Sequence, residues 1–204
     1  MRKPWRPSVV SWVALAAAAG VAAACSGFRN EGRYGTASPR VVDANQPIPK
    51  GGGIYKLGAP YQIDGRWYVP QVDPAYDRAG LASFYAEDFH GRRTSNGEIF
   101  DMWALTAAHP TLPLPSLAYV SNLENGRTLL VRLNDRGPYV NNRVIDLSRA
   151  SARYLGVEGP GLARVRVRYA GPAPMSGDDR REQRFLASQP WFQVRLARGP
   201  NDSR

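Results

Sequence analysis

Apolar and polar residues alternate through the second half of this chain with the period of a β-strand. Leu129, Val131 and Leu133 fall on one face of the segment 127–133, as a rise with side chains on alternating sides requires. Ala163, Val165, Val167 and Tyr169 do the same over 162–169, with Arg164, Arg166 and Arg168 on the opposite, wet face of a strand near the domain edge. Shorter apolar runs at 81–85, 117–121 and 143–147 predict further strands. Asn125-Gly126 predicts a two-residue type I′ turn into the strand 127–133. Ser148 can cap a short helix over 149–155, and Gly156 can end it. Short strands, tight turns and one or two short helices within 80–170 predict a mainly β fold, a small closed barrel.

Around this segment the pattern changes. Tyr61-Gln62-Ile63-Asp64-Gly65-Arg66-Trp67-Tyr68 reads as a small lead-in hairpin turning at Asp64-Gly65, within 54–79. Residues 25–53 are rich in Gly, Pro, Asn and Ser, with little periodicity, and are expected to be a flexible tether. Residues 171–204 are expected to be a disordered tail, with at most one isolated strand at 191–196. Residues 1–24 carry Arg2, Lys3 and Arg6, then a short apolar run, then Ala22-Ala23-Ala24 before Cys25. That is an export signal, and its apolar run is shorter than the ~20 residues of a comfortable span. Cys25 is the single cysteine, so no intrachain disulfide is possible. Its position points to lipidation at Cys25, against the plainer reading of a secretory signal cut after Ala24. Ser26 after Cys25 leans toward the outer membrane, with the chain on the periplasmic side.

The net charge of +10, carried almost wholly by arginine, suits polyanions in general. With no stacking-aromatic motif, zinc finger or helix-turn-helix signature, nucleic acid is not an expected partner. No Gly-x-Ser-x-Gly, Walker A or dinucleotide signature is present, so serine-hydrolase and nucleotide chemistry have no support. No cofactor is expected, and a metal role is poor, because His90 and His109 are the only histidines.

Residues suited to acid–base work cluster among turn-formers between Gly91 and Tyr139: Glu98, Asp101, His109 and Asp135. Asp135 ends the strand 127–133 and precedes Arg136-Gly137-Pro138. There it can act as an acid or simply cap the turn. Glu98 follows Asn96-Gly97 and could equally be an early-helix glutamate. A lone His109 is more often structural. Tyr85 and Tyr139 can stack on sugars or pack in a core.

The runs Gly80 to Tyr85, Phe89 to Asp101, Ala104 to His109, Leu112 to Pro115, Asn122 to Gly126, Val131 to Pro138 and Ile145 to Ser148 closely resemble the rare lipoprotein A family. The resemblance covers about Tyr55 to Tyr169. It implies a double-psi β-barrel and a septal-ring lytic transglycosylase. Such an enzyme cleaves the MurNAc–GlcNAc bond of peptidoglycan, leaves 1,6-anhydro-MurNAc ends and prefers glycan strands stripped of stem peptides. It implies that Glu98, His109 and Asp135 match the family's functional positions, with the proton assigned to neither carboxylate. Tyr85, Asn96, Asn134, Arg136 and Tyr139 are the candidate substrate contacts. Phe84 stands where the family usually has Trp, and Ala86 where it has Gly. The sugar-binding SPOR domain that ends many members has no room after Ala170, so divisome partners stay unassigned. The alternative is an expansin-like module that grips the wall without cutting it.

Overall fold

A computed structural model describes residues 38–198 except positions 44, 86 and 141, with the backbone alone over 195–198. The export signal, Cys25 and the first part of the tether lie outside the described residues.

Six strands close into a barrel in the order β3 (Asp77–Phe84), β7 (Arg143–Leu147), β4 (Thr106–Ala108), β6 (Thr128–Asp135), β5 (Ser116–Asn122), β8 (Ala163–Pro172). The pairs β3–β7 and β4–β6 are parallel and the others antiparallel. The predicted mainly β barrel is thus present. Leu129, Val131 and Leu133 of β6 meet Val165 and Val167 of β8, Ala118 and Val120 of β5, and Ile145 and Leu147 of β7 in one buried core. Closure leaves β8 paired on both sides, so its three arginines face solvent from the barrel wall, not from an edge.

The helix α1 (Arg149–Leu155) follows Ser148, whose hydroxyl accepts from the Ser151 amide, and ends at the left-handed Gly156. The lead-in hairpin β1 (Tyr61–Ile63) and β2 (Arg66–Tyr68) turns at Asp64 and Gly65, both at positive φ, as a type I′ turn needs. The Asn125-Gly126 expectation is corrected. Residues 123–127 form a longer loop in which Gly126 takes a positive φ and Asn125 does not. The Asn125 side chain is spent on Leu155 O, 2.9 Å away.

Two further expectations fail where contacts replace presumed freedom. The tether, over its described part 38–53, is held by contacts outside the barrel strands: the Val41 and Val42 amides donate to Gly91 O between β3 and β4, and Lys50 pairs with Asp179 ahead of Arg180. The tail carries β8 to Pro172, then α2 (Arg180–Ala187) and α3 (Pro190–Arg198). Leu186 enters the core, Phe185 stacks against Tyr119, and Arg127 covers the Trp191 ring. Charge in this tail masked an amphipathic helix whose apolar residues recur at wide spacing.

Candidate active site

The site is built on the end of β6 and on one small turn that folds over it. Thr94 to Glu98 closes through Thr94 N to Glu98 O and Gly97 N to Thr94 O, with Gly97 at positive φ. The segment 53–56 staples this turn down: Ile54 N donates to Asn96 O, and Lys56 Nζ to Ser95 O. Gly53 allows the close approach, since a Cβ there would lie 2.8 Å from Glu98 Cγ and from Asn96 O.

The first half of the turn holds Asp135. Ser95 donates to one Asp135 oxygen from its amide at 2.8 Å and its hydroxyl at 2.5 Å, and the Arg136 amide adds a third bond at 2.8 Å. All three donors are neutral. The Arg136 guanidinium turns away and donates to the carbonyls of His109, Leu112, Lys56 and Leu57. Burial therefore dominates and lifts the Asp135 carboxyl above its ordinary range, against the pull of Ser95 and the Arg136 charge.

The second half of the turn holds Glu98, which is 4% exposed. Arg132 grips it with Nε at 3.1 Å and Nη2 at 2.5 Å, while Asn134 and Asn96 donate at 3.0 and 3.1 Å. Burial pushes Glu98 up, but Arg132 and the two amides outweigh it and hold the carboxyl below its usual value. Two carboxylates held by one five-residue turn thus end in opposite protonation tendencies. Glu98 is an ionised partner that locks Arg132 and the turn. On its other side lies a cavity of about 60 Å³ lined also by Lys50, Asp179 and Glu182.

His109 lies beneath the site, and its Nε2 is buried without a hydrogen-bond partner. Its imidazole is wholly buried, accepts from the Thr111 and Leu112 amides at Nδ1 and meets Tyr76 edge-on at 4.8 Å. Burial, then the Arg136 charge, lowers it to about 3, so the ring is neutral. Its backbone also reaches the site: His109 N donates to Asp135 O at 3.0 Å.

Of the expected substrate contacts, Asn96, Asn134 and Arg136 are occupied inside the protein and position the carboxylates. Tyr85 and Tyr139 border Asp135. Tyr85 packs on Phe89 and Phe100 at 5.3 Å each. Tyr139 meets Tyr61 and Tyr68, so the lead-in hairpin supplies one aromatic wall. Asp101 accepts from the Trp103 amide at 2.9 Å. Sequence reasoning missed Ser95 and Arg132. An arginine between Val131 and Leu133 in a buried strand was the available signal, since a buried guanidinium requires a counter-charge.

Among the described residues no group of three or more His, Cys, Asp or Glu is placed to hold a metal ion.

Residues 77–167 match the model of the double-psi β-barrel family described as lytic transglycolase. The chain is 44% identical over 152 residues to the endolytic peptidoglycan transglycosylase RlpA of Pseudomonas aeruginosa (strain UCBPP-PA14), covering 74% of this chain and 44% of the relative. The RlpA of Helicobacter pylori (strain J99) is 50% identical over 109 residues, 53% of this chain and 35% of the relative. That of Neisseria meningitidis serogroup B (strain MC58) is 41% identical over 140 residues, 68% of this chain and 59% of the relative. Over its barrel the chain is similar to these RlpA proteins, at 41–50% identity. It spans about a third to three fifths of the length of these relatives.

Proposed function

We propose that this barrel is an endolytic lytic transglycosylase of peptidoglycan, with Asp135 as the acid that starts the reaction. One observation carries the assignment. Asp135 is a buried carboxyl bonded by neutral donors alone, so it keeps affinity for a proton that ion-paired Glu98 lacks. The names of the relatives support the substrate class.

In this reading a glycan strand lies along the end of β6, with its MurNAc–GlcNAc bond beside Asp135. The Asp135 proton passes to the glycosidic oxygen as the bond from C1 of MurNAc breaks and positive charge grows on the sugar. The 6-hydroxyl of the same MurNAc attacks C1 and loses its proton to the Asp135 carboxylate. The acid is restored, no water is consumed, and a 1,6-anhydro end is left. Tyr139 and the hairpin tyrosines present apolar ring faces beside this position, suited to the faces of sugars. Strands without stem peptides are the preferred substrate in this reading. Lipidation at Cys25 tethers the enzyme on the periplasmic side of the outer membrane.

Digestion of purified sacculi followed by mass spectrometry of the fragments tests the proposal. The wild type releases anhydro-ended fragments and Asp135→Asn releases none. Fragments one water heavier would mean a hydrolase, and intact glycan with bound protein would mean a wall-binding module. The variant Cys25→Ala is expected in the soluble periplasmic fraction, and its retention in the membrane would count against the anchor.

A further inference from the structure

The sequence pairs Asp135 with Glu98, but the barrel offers Asp135 a different carboxylate. Ala108 of β4 stands opposite Asp135 of β6 on one side and Asp146 of β7 on the other. A register shift between Ala107 and Ala108 makes this possible, because Ala107 pairs with Leu133 and Ala108 with Asp135. Such a bulge re-aims a side chain. Across two strand spacings the Asp135 and Asp146 backbones are about 10 Å apart, and the single methyl of Ala108 lies between them. One strand further on, Ser83 of β3 faces Asp146 and donates its hydroxyl at 2.6 Å. Tyr85, two residues along the same face, is raised by burial and then by the charges of both Asp135 and Asp146. The four adjacent strands β3, β7, β4 and β6 therefore present Ser83 and Tyr85, Asp146, Ala108 and Asp135 in one row.

We infer that Asp146 is the second carboxylate of this site, a positioning residue that forms with Asp135 a pair retaining one proton. The inference rests on the transglycosylase reading. Asp146 is 7% exposed. Its one close donor is the Ser83 hydroxyl, with the Arg143 Nη2 at a loose 3.4 Å. Burial outweighs the Ser83 bond and the Arg143 charge and lifts the Asp146 carboxyl above its ordinary range, and the Asp135 charge adds to the rise, as expected of coupled carboxyls. The other groups bearing on the pair are Arg136 beside Asp135, Arg143 beside Asp146, and Tyr85 and Tyr139, which feel the Asp135 charge. None of them is a second carboxylate. With one proton held between the two, the acid stays loaded at the pH of the envelope. The remaining negative charge faces the sugar as it turns positive.

The test is the pH dependence of anhydro-product release from sacculi by the full chain. Activity ends on the alkaline side when the pair loses its last proton. In Asp146→Asn the like charge is gone, so this limb moves to lower pH by about one unit. In Ser83→Ala the carboxylate form of Asp146 loses its donor, so the limb moves to higher pH. A purely structural role predicts that both limbs stay where the wild type has them, and that result overturns the inference. If Asp146→Asn fails to fold, the direction of the Ser83→Ala shift decides. A wild type that releases no anhydro product overturns the transglycosylase reading as a whole. An active wild type with unmoved limbs overturns the Asp146 pair alone.

Discussion

Glu98 and Asp135 are both carboxylates held by the same five-residue turn, yet their surroundings differ in one respect. Glu98 faces a guanidinium and two amides. Asp135 faces a hydroxyl and two peptide amides, while the Arg136 guanidinium beside it is tied to four carbonyls. The first environment rewards charge and the second tolerates a proton. A buried charge with a full partner set belongs to the scaffold, and a buried acid without a cation is available for chemistry.

The largest effect expected from breaking this contrast is on catalysis. Asp135→Asn removes the transferable proton and lowers product release by about 10²–10⁴-fold, the usual worth of a general acid. The same variant is expected to be at least as stable as the wild type at pH 7. The sign follows from the raised carboxyl: between its unfolded and folded values the native state binds more protons than the unfolded state. Stability therefore falls as pH rises through that window. An asparagine has no such loss, which thermal melts at pH 4 and pH 7 will show.

Next in size is Glu98→Ala, which leaves Arg132 buried without its partner and costs about 3–5 kcal/mol. For a chain of this length the melting temperature drops by about 10 °C. Glu98 is depressed, so its contribution is present above the ordinary glutamate range and is lost as pH falls through the folded value. The variant should lack that acid-sensitive part of the wild-type curve. The double replacement Glu98→Leu with Arg132→Met recovers some of the loss, because neither charge is then left alone.

Ser95→Ala sharpens the comparison from the other side. Loss of one hydroxyl donor to the Asp135 carboxylate shifts the alkaline limb of activity upward by about one pH unit, with product still formed. The smallest effect is an absence. His109, lowered to about 3, shows no imidazole titration between pH 5 and 8 in a proton NMR series, and Asp135→Asn leaves that unchanged.

The barrel was largely legible because its signals are local. Period-two alternation gave the inward faces of β6 and β8, and Ser148 and Gly156 gave both ends of α1. The docked strap at 38–53 and the helices α2 and α3 were not legible. Their residues read as linker and tail, and only the folded chain supplies the contacts that order Lys50, Phe185, Leu186 and Trp191. For the site, sequence found Asp135 and Glu98 as turn-flanking carboxylates but not their difference, since Ser95 and Arg132 reach them only through folding. Asp146 stands two residues ahead of the Ser148 cap of α1, and sequence alone gives it no place in the site. Its place beside Asp135 depends on two strand pairings and a bulge, none of which leaves a mark in the local pattern.

Carbon-13 NMR titration of the labelled side-chain carboxyls, with Asp135 and Glu98 assigned by substitution, tests the contrast most directly. The structure predicts an Asp135 midpoint above the ordinary aspartate value and a Glu98 midpoint below the ordinary glutamate value. An Asp135 carboxyl that is fully ionised at the pH where Glu98 still carries its proton would contradict the account.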